Sequence, residues 1–378
     1  MSIFVDTENA LKAFLRSLPP PEPSAGLEEY AREREAALAL CEKKRENYKR
    51  YQESNRKEAV VNYLPIKLDI ENVSRCNFAC TMCIVSTWSK GKRAEDMTFD
   101  QFKQIIDEQY GLIEIKLNGL GEALLQGDPF FEMVKYARLK RIWVRMTTNA
   151  SLLHVRDNYK KLIDSGVNEI DISIDGAKKE IFESIRKQSN FERVVRNCTL
   201  LNGYTQEKGI KRTKMWTLVQ EKNYQQLRDH VKLASEMGFS FVVFSLNLHG
   251  WGNDDLAAKN KSVTVEHKLS QAYLTELIEL GSSLGIKVRF WSVNDKFETT
   301  SREKLCSWPF ERAVITSDLR TVPCCMIGDP NAFEIGKGKG KSFSELWSGK
   351  EYEGFRRAHL TGKIPSICKG CYKQTESK

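Results

Sequence analysis

Several absences narrow the possibilities before any motif is considered. No apolar run approaches the ~20 residues a membrane span requires, which excludes a bundle of membrane helices. The start, MSIFVDTENALKAFLRSLPP, has no basic stretch leading into a long apolar core, so it does not read as a secretory signal. No block of like charge is present either. The 59 Lys+Arg and 50 Asp+Glu are interspersed, and the net +9 is diffuse. Such a field steers anionic substrates or acidic partners, but it is not the clustered patch that nucleic acid requires. No internal repeat is visible.

Cysteine, by contrast, is plentiful: ten in 378 residues. In the reducing cytoplasm expected for a chain without an export signal, cysteines serve metals or catalysis more often than disulfides. A secreted disulfide scaffold is therefore excluded. With 41% hydrophobic residues, the chain is long enough to bury a core without covalent staples.

Composition changes along the chain mark its organisation. Pro19, Pro20, Pro21 and Pro23 interrupt a short helical start, and Leu27 to about Val60 reads as a charged helix or helix pair lying on the outside of a larger body. From Ile66 the pattern alternates between strand and helix. Strands are predicted at Ile66–Val73, Ile113–Asn118, Ile142–Thr148, Glu169–Ile174, Lys214–Leu218 and Phe241–Leu246. Amphipathic stretches separate them at Phe99–Gln109, Phe130–Leu139, Val155–Ser165, Phe191–Asn202 and Tyr224–Met237. Repeated β-then-α units predict an α/β fold with a parallel sheet, here a partial (β/α)6 barrel of the TIM kind with its chemistry at the C-terminal strand ends. A further strand, Lys287–Val293, leads out of the barrel. The expected division is a helical extension over 1–62, a barrel over 63–295, and a small cysteine-rich domain over 296–378 that needs a metal to hold it together.

The strongest motif is Cys76-Asn-Phe-Ala-Cys80-Thr-Met-Cys83, just after the first strand. Three thiolates within eight residues suit an iron–sulfur cluster or zinc. A zinc site would want a fourth ligand, and neither His nor Cys follows closely. Three cysteines on a four-iron cluster leave one iron open.

This C-x3-C-x2-C spacing resembles that of the radical S-adenosylmethionine (SAM) superfamily. The resemblance continues at later strand ends. Gly119-Leu120-Gly121-Glu122 is similar to the family's glycine-rich turn with glutamate. Thr147-Thr148-Asn149 is similar to its Thr-Asn-Gly, with Ala150 replacing glycine, and Ser173-Ile174-Asp175-Gly176 to its Ser-x-Asp-Gly element. Arg186 matches an arginine that pairs with the SAM carboxylate. The resemblance implies that Cys76, Cys80 and Cys83 hold a SAM-binding [4Fe–4S] cluster. It implies further that Gly121, Glu122, Asn149, Ser173, Asp175 and Arg186 contact SAM, the glycines by letting backbone approach the cofactor. Met82 stands where the family has an aromatic residue.

Five cysteines remain in the tail: Cys306, Cys324, Cys325, Cys368 and Cys371. Their spacing alone allows a zinc ribbon or an iron–sulfur site. Cys306-x2-Pro309, Val322-Pro323-Cys324-Cys325, Ser344-Glu345-Leu346-Trp347 and the final C-x2-C resemble the SPASM/twitch extension of radical SAM enzymes. The resemblance implies one auxiliary [4Fe–4S] cluster on Cys306, Cys324, Cys368 and Cys371, with Cys324 chosen over Cys325.

The same resemblance sets the functional expectation. The cluster plan is similar to that of twitch-type alcohol dehydrogenases of aminocyclitol biosynthesis. It implies oxidation of a small hydroxylated substrate, with the auxiliary cluster as electron acceptor and a flavodoxin- or ferredoxin-type donor. Neither a membrane nor nucleic acid is expected as a partner. The alternatives are a peptide maturase (of the kind acting on ribosomal peptides or sulfatases) and a redox-neutral epimerase. The charged helical start does not resemble a peptide-binding winged helix, which favours the small substrate. His249, after the sixth strand with Asn247 and Trp251, is the candidate proton acceptor. Cys325 is the candidate hydrogen-atom donor of an epimerase. Lys337-Gly-Lys-Gly-Lys341 reads as a solvated turn.

Overall fold

Seven parallel strands run in sequence order across the sheet: β1 (Lys67–Ile70), β2 (Glu114–Leu117), β3 (Trp143–Thr148), β4 (Glu169–Ser173), β5 (Thr213–Leu218), β6 (Phe241–Ser245) and β7 (Lys287–Trp291). They come from a computed structural model that describes residues 2–89, 91–293, 296–337 and 340–373, with the backbone alone over 2–9. Helices alternate with them, as the 3.6-residue patterning predicts. Examples are Phe99–Glu108, closed by a Thr98/Gln101 capping box, Asp128–Leu139 and Phe191–Glu207. The proposed boundary at Asp295 and part of the Lys337–Lys341 run (338 and 339) lie outside the described residues.

Two features differ from the sequence expectation. Lys287–Trp291 does not leave the barrel but pairs in parallel with β6 as its last strand. The cysteine-rich tail is likewise not a separate appendage. Its strand β8 (Arg312–Ile315) joins β1 in parallel, and β9 (Thr321–Val322) folds back on β8. Predicting β8 is beyond local patterning, because four residues gain their strand character from hydrogen bonds to a segment over 240 positions earlier. The nine-stranded sheet stays open between β7 and β9, and the segment that follows β7 pairs with the end of the tail. Phe297 donates to the Cys371 carbonyl at 2.9 Å and Lys373 donates to the Phe297 carbonyl at 2.9 Å.

Strand alternation separates two environments. Leu68, Ile70, Ile115, Leu117, Val144, Met146, Ile170, Ile172, Met215, Val242 and Phe244 belong to one apolar core with helix residues such as Phe102, Phe130, Leu162, Leu201 and Val231. Their intervening neighbours face the barrel lumen and are charged: Lys67, Asp69, Glu114, Lys116, Arg145, Glu169, Asp171, Lys214 and Arg312. A closed TIM barrel fills this space with branched aliphatic side chains. Here ion pairs fill the lower part. Lys214 meets Glu169 at 2.5 Å, Arg145 meets Glu169 at 3.1 Å, and Arg312 meets Glu114 at 2.7 Å. Burial by itself would raise the Glu114 carboxyl, yet Lys67, Arg312 and Arg145 hold it well below the usual carboxylate range.

The N-terminal helix pair, Leu27–Leu40 and Glu42–Ser54, seals this lower end. Tyr30 donates to Glu114 at 2.7 Å and sets its ring edge-on to Trp143. Asn47 exchanges two hydrogen bonds with Leu64, and Lys44 donates to the Lys140 carbonyl. The pair therefore packs on the strand starts, at the end opposite the Cys76–Cys83 loop.

Candidate active site

The cysteine loop leaves β1 and is fixed by residues from three later strand ends. Cys80 lies in a two-residue antiparallel ribbon, Ala79–Cys80 against Arg186–Lys187, with Cys80 directly opposite Arg186. Thr81 extends the ribbon by donating to the Ile185 carbonyl at 2.9 Å. The Arg186 guanidinium approaches Cys80 Sγ at 3.9 Å and pairs with Asp175 at 2.7 Å. Cys76 Sγ accepts from the Phe78 amide at 3.4 Å and faces Asn149 Nδ2 at 3.8 Å. That Asn149 amide also donates to Asn77 at 2.9 Å, and its oxygen accepts from the Ser151 amide and hydroxyl. Burial pushes the Cys76 and Cys83 thiols up to about 12, and raises Cys80 against the pull of Arg186. Thiols so held give up their protons to a metal, not to water.

Two residues expected at the SAM site also have partners within the chain. Gly121 does leave room for a close approach, but the room is taken by the cysteine loop. A Cβ there would stand 2.4 Å from the Arg75 carbonyl oxygen and 2.5 Å from that of Val73. Asp175 is fully buried, ion-paired to Arg186 and accepting from the Leu218 amide at 2.8 Å, so it orients the arginine. Glu122, 2% exposed, accepts from Thr148 (2.7 Å), Asn149 N (2.7 Å) and Leu124 N (3.4 Å). Three of the about four acceptor sites of its carboxylate are thus filled, leaving one. Ser173 stands at the end of β4, half-buried. Ala150 holds a left-handed φ of 60°, the conformation a glycine there would adopt without strain.

Loops from other strands close over the same end. Asn260 donates to the carbonyls of Met82 (3.0 Å) and His249 (2.6 Å), tying the cysteine loop to the loop after β6. Burial lowers the His249 imidazole to about 4, so it is neutral at pH 7. A Cβ on Gly328 would meet Trp251 at 2.9 Å and Leu120 at 3.0 Å, so the β6 loop, the glycine turn and the tail come together there. Asn77, Asn260 and the 80–186 ribbon escaped sequence reasoning. Asparagine in a loop carries no distinctive signal, and a two-residue ribbon is too short to produce a period.

The tail gathers its own thiols. Cys306, Cys324, Cys368 and Cys371 lie within electrostatic reach of one another, and burial raises all four. The Cys306 amide donates to the Tyr372 hydroxyl oxygen at 2.9 Å. Lys296 stacks over Trp291 at 3.9 Å beside Cys306, Cys371 and Cys325. Cys325 lies within electrostatic reach of Cys324 and Cys371 and also of Asp69, Lys116 and Arg312 of the lumen. Among the described residues no three of His, Cys, Asp and Glu are close enough to hold one metal ion. The chemistry of the donor sets, three buried thiols at the lumen mouth and four in the tail, suits iron–sulfur clusters.

Comparison with known proteins places both groups. Residues 72–234 match the radical SAM superfamily, and residues 306–372 match the SPASM iron–sulfur cluster-binding domain. Mycofactocin maturase MftC of Mycolicibacterium smegmatis is 30% identical over 191 residues, covering 50% of this chain and 47% of that protein. The chain thus spans about half the length of the mycofactocin maturases it matches. PqqA peptide cyclase of Bradyrhizobium diazoefficiens is 21% identical over 84% of this chain and 82% of its own. Streptococcus suis SuiB, crystallised with its precursor peptide SuiA, shares the fold with a TM-score of 0.60 at 14% identity, covering 86% of this chain and 73% of that one. The two domains imply SAM, a SAM-binding [4Fe–4S] cluster and an auxiliary [4Fe–4S] cluster. No described helix is long and apolar enough to cross a membrane. The chain belongs to the radical SAM superfamily and carries a SPASM domain over 306–372.

Proposed function

We propose that the chain is a peptide-modifying radical SAM enzyme. The observation that carries this reading is the similarity to PqqA peptide cyclase along more than four-fifths of both chains. The mycofactocin maturases and the peptide-bound SuiB agree in kind. The expectation of a small hydroxylated substrate comes from the cluster plan, which peptide-modifying enzymes share, and is favoured further by the character of the N-terminal helices. Because these pack on the strand starts, away from the cysteine loop, their unlikeness to a peptide-binding module says nothing about what enters the lumen.

In this reading Cys76, Cys80 and Cys83 hold the SAM-binding cluster, and Cys306, Cys324, Cys368 and Cys371 the auxiliary one, within a barrel over 63–295 and a cluster domain over 296–378. When bound, SAM and its cluster supply a 5′-deoxyadenosyl radical able to take a hydrogen atom from substrate carbon. Asn149 and Asn77 fix Cys76, while Asp175 holds Arg186 ready for the SAM carboxylate. Glu122 keeps its free acceptor site for the SAM ammonium, beside Gly121 and Ser173. His249, kept neutral by burial, accepts a substrate proton. Cys325, within electrostatic reach of Asp69 and Lys116, is the hydrogen-atom donor if the peptide is epimerised. A ferredoxin- or flavodoxin-type protein supplies the reducing electron.

The test uses a fully deuterated cell extract split into peptide and small-molecule fractions, each incubated anaerobically with the reconstituted enzyme. The peptide fraction is expected to pass deuterium to 5′-deoxyadenosine, read by mass. Label arriving from the small-molecule fraction alone would instead support the alcohol-oxidising alternative.

A second prediction concerns Gly121. Gly121→Ala drives a methyl into the Val73 and Arg75 carbonyls and displaces Cys76. Reconstituted iron is expected to fall from about eight towards about four atoms per chain, one cluster lost. Gly203→Ala, whose Cβ meets nothing within 4 Å, serves as the control that keeps full iron.

A further inference from the structure

Among the described residues, one lumen lysine stands without an ion pair. Lys67 pairs with Glu114, Arg145 with Glu114, Glu169 and Asp171, Lys214 with Glu169, and Arg312 with Glu114 and Asp69. Arg289 pairs with Glu22, and Arg93 with Glu71. Lys116 makes no ion pair or hydrogen bond among the described residues, although it sits in the same register row as Asp69 and Arg145. It lies two residues below Asn118, whose loop leads to the Gly119–Glu122 turn, and it is half-buried, not sealed. Beside it Asp69, 4% exposed, has an oxygen, Oδ1, that no hydrogen bond satisfies, with Arg312 no nearer than 3.7 Å. Burying an ammonium in a low-dielectric cavity is costly unless a charge answers it. Leaving a buried carboxylate oxygen without a donor is costly as well.

From this pairing we infer that Lys116 and Asp69 form a substrate anchor on the lumen floor. Lys116 binds a carboxylate of the substrate, and Asp69 Oδ1 accepts from an N–H next to it. A peptide offers that combination at its C-terminal residue and at an acidic residue within the chain. Cys325, within electrostatic reach of both Asp69 and Lys116, then stands beside the anchored residue. The inference rests on the peptide reading of the same lumen, and its test separates the two.

Two matched pools of N-acetylated random hexapeptides, one ending in free acids and one in amides, are offered anaerobically to immobilised holoenzyme, and retained peptides are identified by mass. The wild-type protein is expected to retain carboxylate-bearing peptides about 10- to 100-fold better than neutral ones. Lys116→Ala should lose that preference and Lys116→Glu should reverse it towards Lys- and Arg-containing peptides. A merely structural lysine would lower retention of all peptides together. Preference for the free-acid pool whatever its side chains assigns the anchor to the chain terminus. Enrichment of Asp and Glu in both pools assigns it to an acidic side chain. Retention without a carboxylate preference, or a preference that survives in Lys116→Ala, overturns the anchor while leaving the peptide reading intact. Should no peptide be retained, a second measurement decides. N-acetylalanine, but not N-acetylalaninamide, should protect Lys116 from amine acetylation, read by peptide mapping. Protection then keeps the anchor and sinks the peptide reading, and no protection sinks both.

Discussion

Cys76→Ala is expected to abolish 5′-deoxyadenosine formation, whereas Cys306→Ala should keep it while losing product. Either variant should reduce reconstituted iron from about eight to about four atoms per chain, so iron content alone does not distinguish them. The distinction follows from what each thiol touches. Cys76 accepts from the Phe78 amide and lies against Asn149 at the lumen mouth, beside the strand ends that carry Glu122 and Arg186. Cys306 is tied to Tyr372 and neighbours Cys368, Cys371 and Cys324 within the tail. Loss of a tail ligand leaves the lumen mouth intact. Both reactions are read by mass after anaerobic incubation with a reductant and the deuterated peptide fraction. Full product from Cys306→Ala would rule out any need for the auxiliary cluster in turnover.

The second large effect is expected at the Asp175–Arg186 pair. Asp175 is fully buried and Arg186 is 7% exposed, so Arg186→Ala leaves a carboxylate with no cation in a low-dielectric site. Removing one partner of such a pair costs about 3–5 kcal/mol, read as a lowered urea midpoint of the apoprotein. Burial already raises the Asp175 carboxyl and Arg186 offsets this, so the variant should favour the protonated acid. For a carboxyl raised in the folded state, folding takes up a proton. The variant is therefore least penalised below the unfolded carboxyl range and loses stability as pH rises from that range through the raised folded value. The double variant Asp175→Asn with Arg186→Met removes both charges and should recover most of the midpoint. SAM affinity, measured by equilibrium dialysis on holoenzyme, should stay reduced by about 10- to 100-fold because the charge-assisted contact is missing. A double variant that binds SAM like the wild type would take Arg186 out of the SAM site and leave it a purely structural residue.

These two experiments probe residues that differ in how readable they are. Cys76, Cys80 and Cys83 are legible because three thiols in eight residues are rare and their chemistry is local. The strands β1 to β6 are legible because short runs of strand formers alternate with helical stretches, as at Trp143–Thr148 and Asn158–Asp164. Glu122 and Asp175 are legible as polar residues at strand ends, but their partners are not. Thr148, Asn149 and Leu124 fill Glu122, and Arg186 and Leu218 fill Asp175, through contacts that no local pattern announces. Gly121 illustrates the same limit. Its sequence says that backbone approaches closely, and only the fold says that the approaching backbone is Val73 and Arg75.

The sequence by itself determined the family, the two cysteine sets and the parallel α/β plan, because ligand spacing and hydrophobic period are short-range properties. Tertiary structure decided the rest. It brought β8 of the tail beside β1, set Cys325 within electrostatic reach of Cys324 and of the lumen residues Asp69 and Lys116, and left Lys116 with no ion pair among the described residues. These outcomes depend on which distant segments share a strand edge or a register row, and in an open barrel that is fixed only when the first and last strands are brought together.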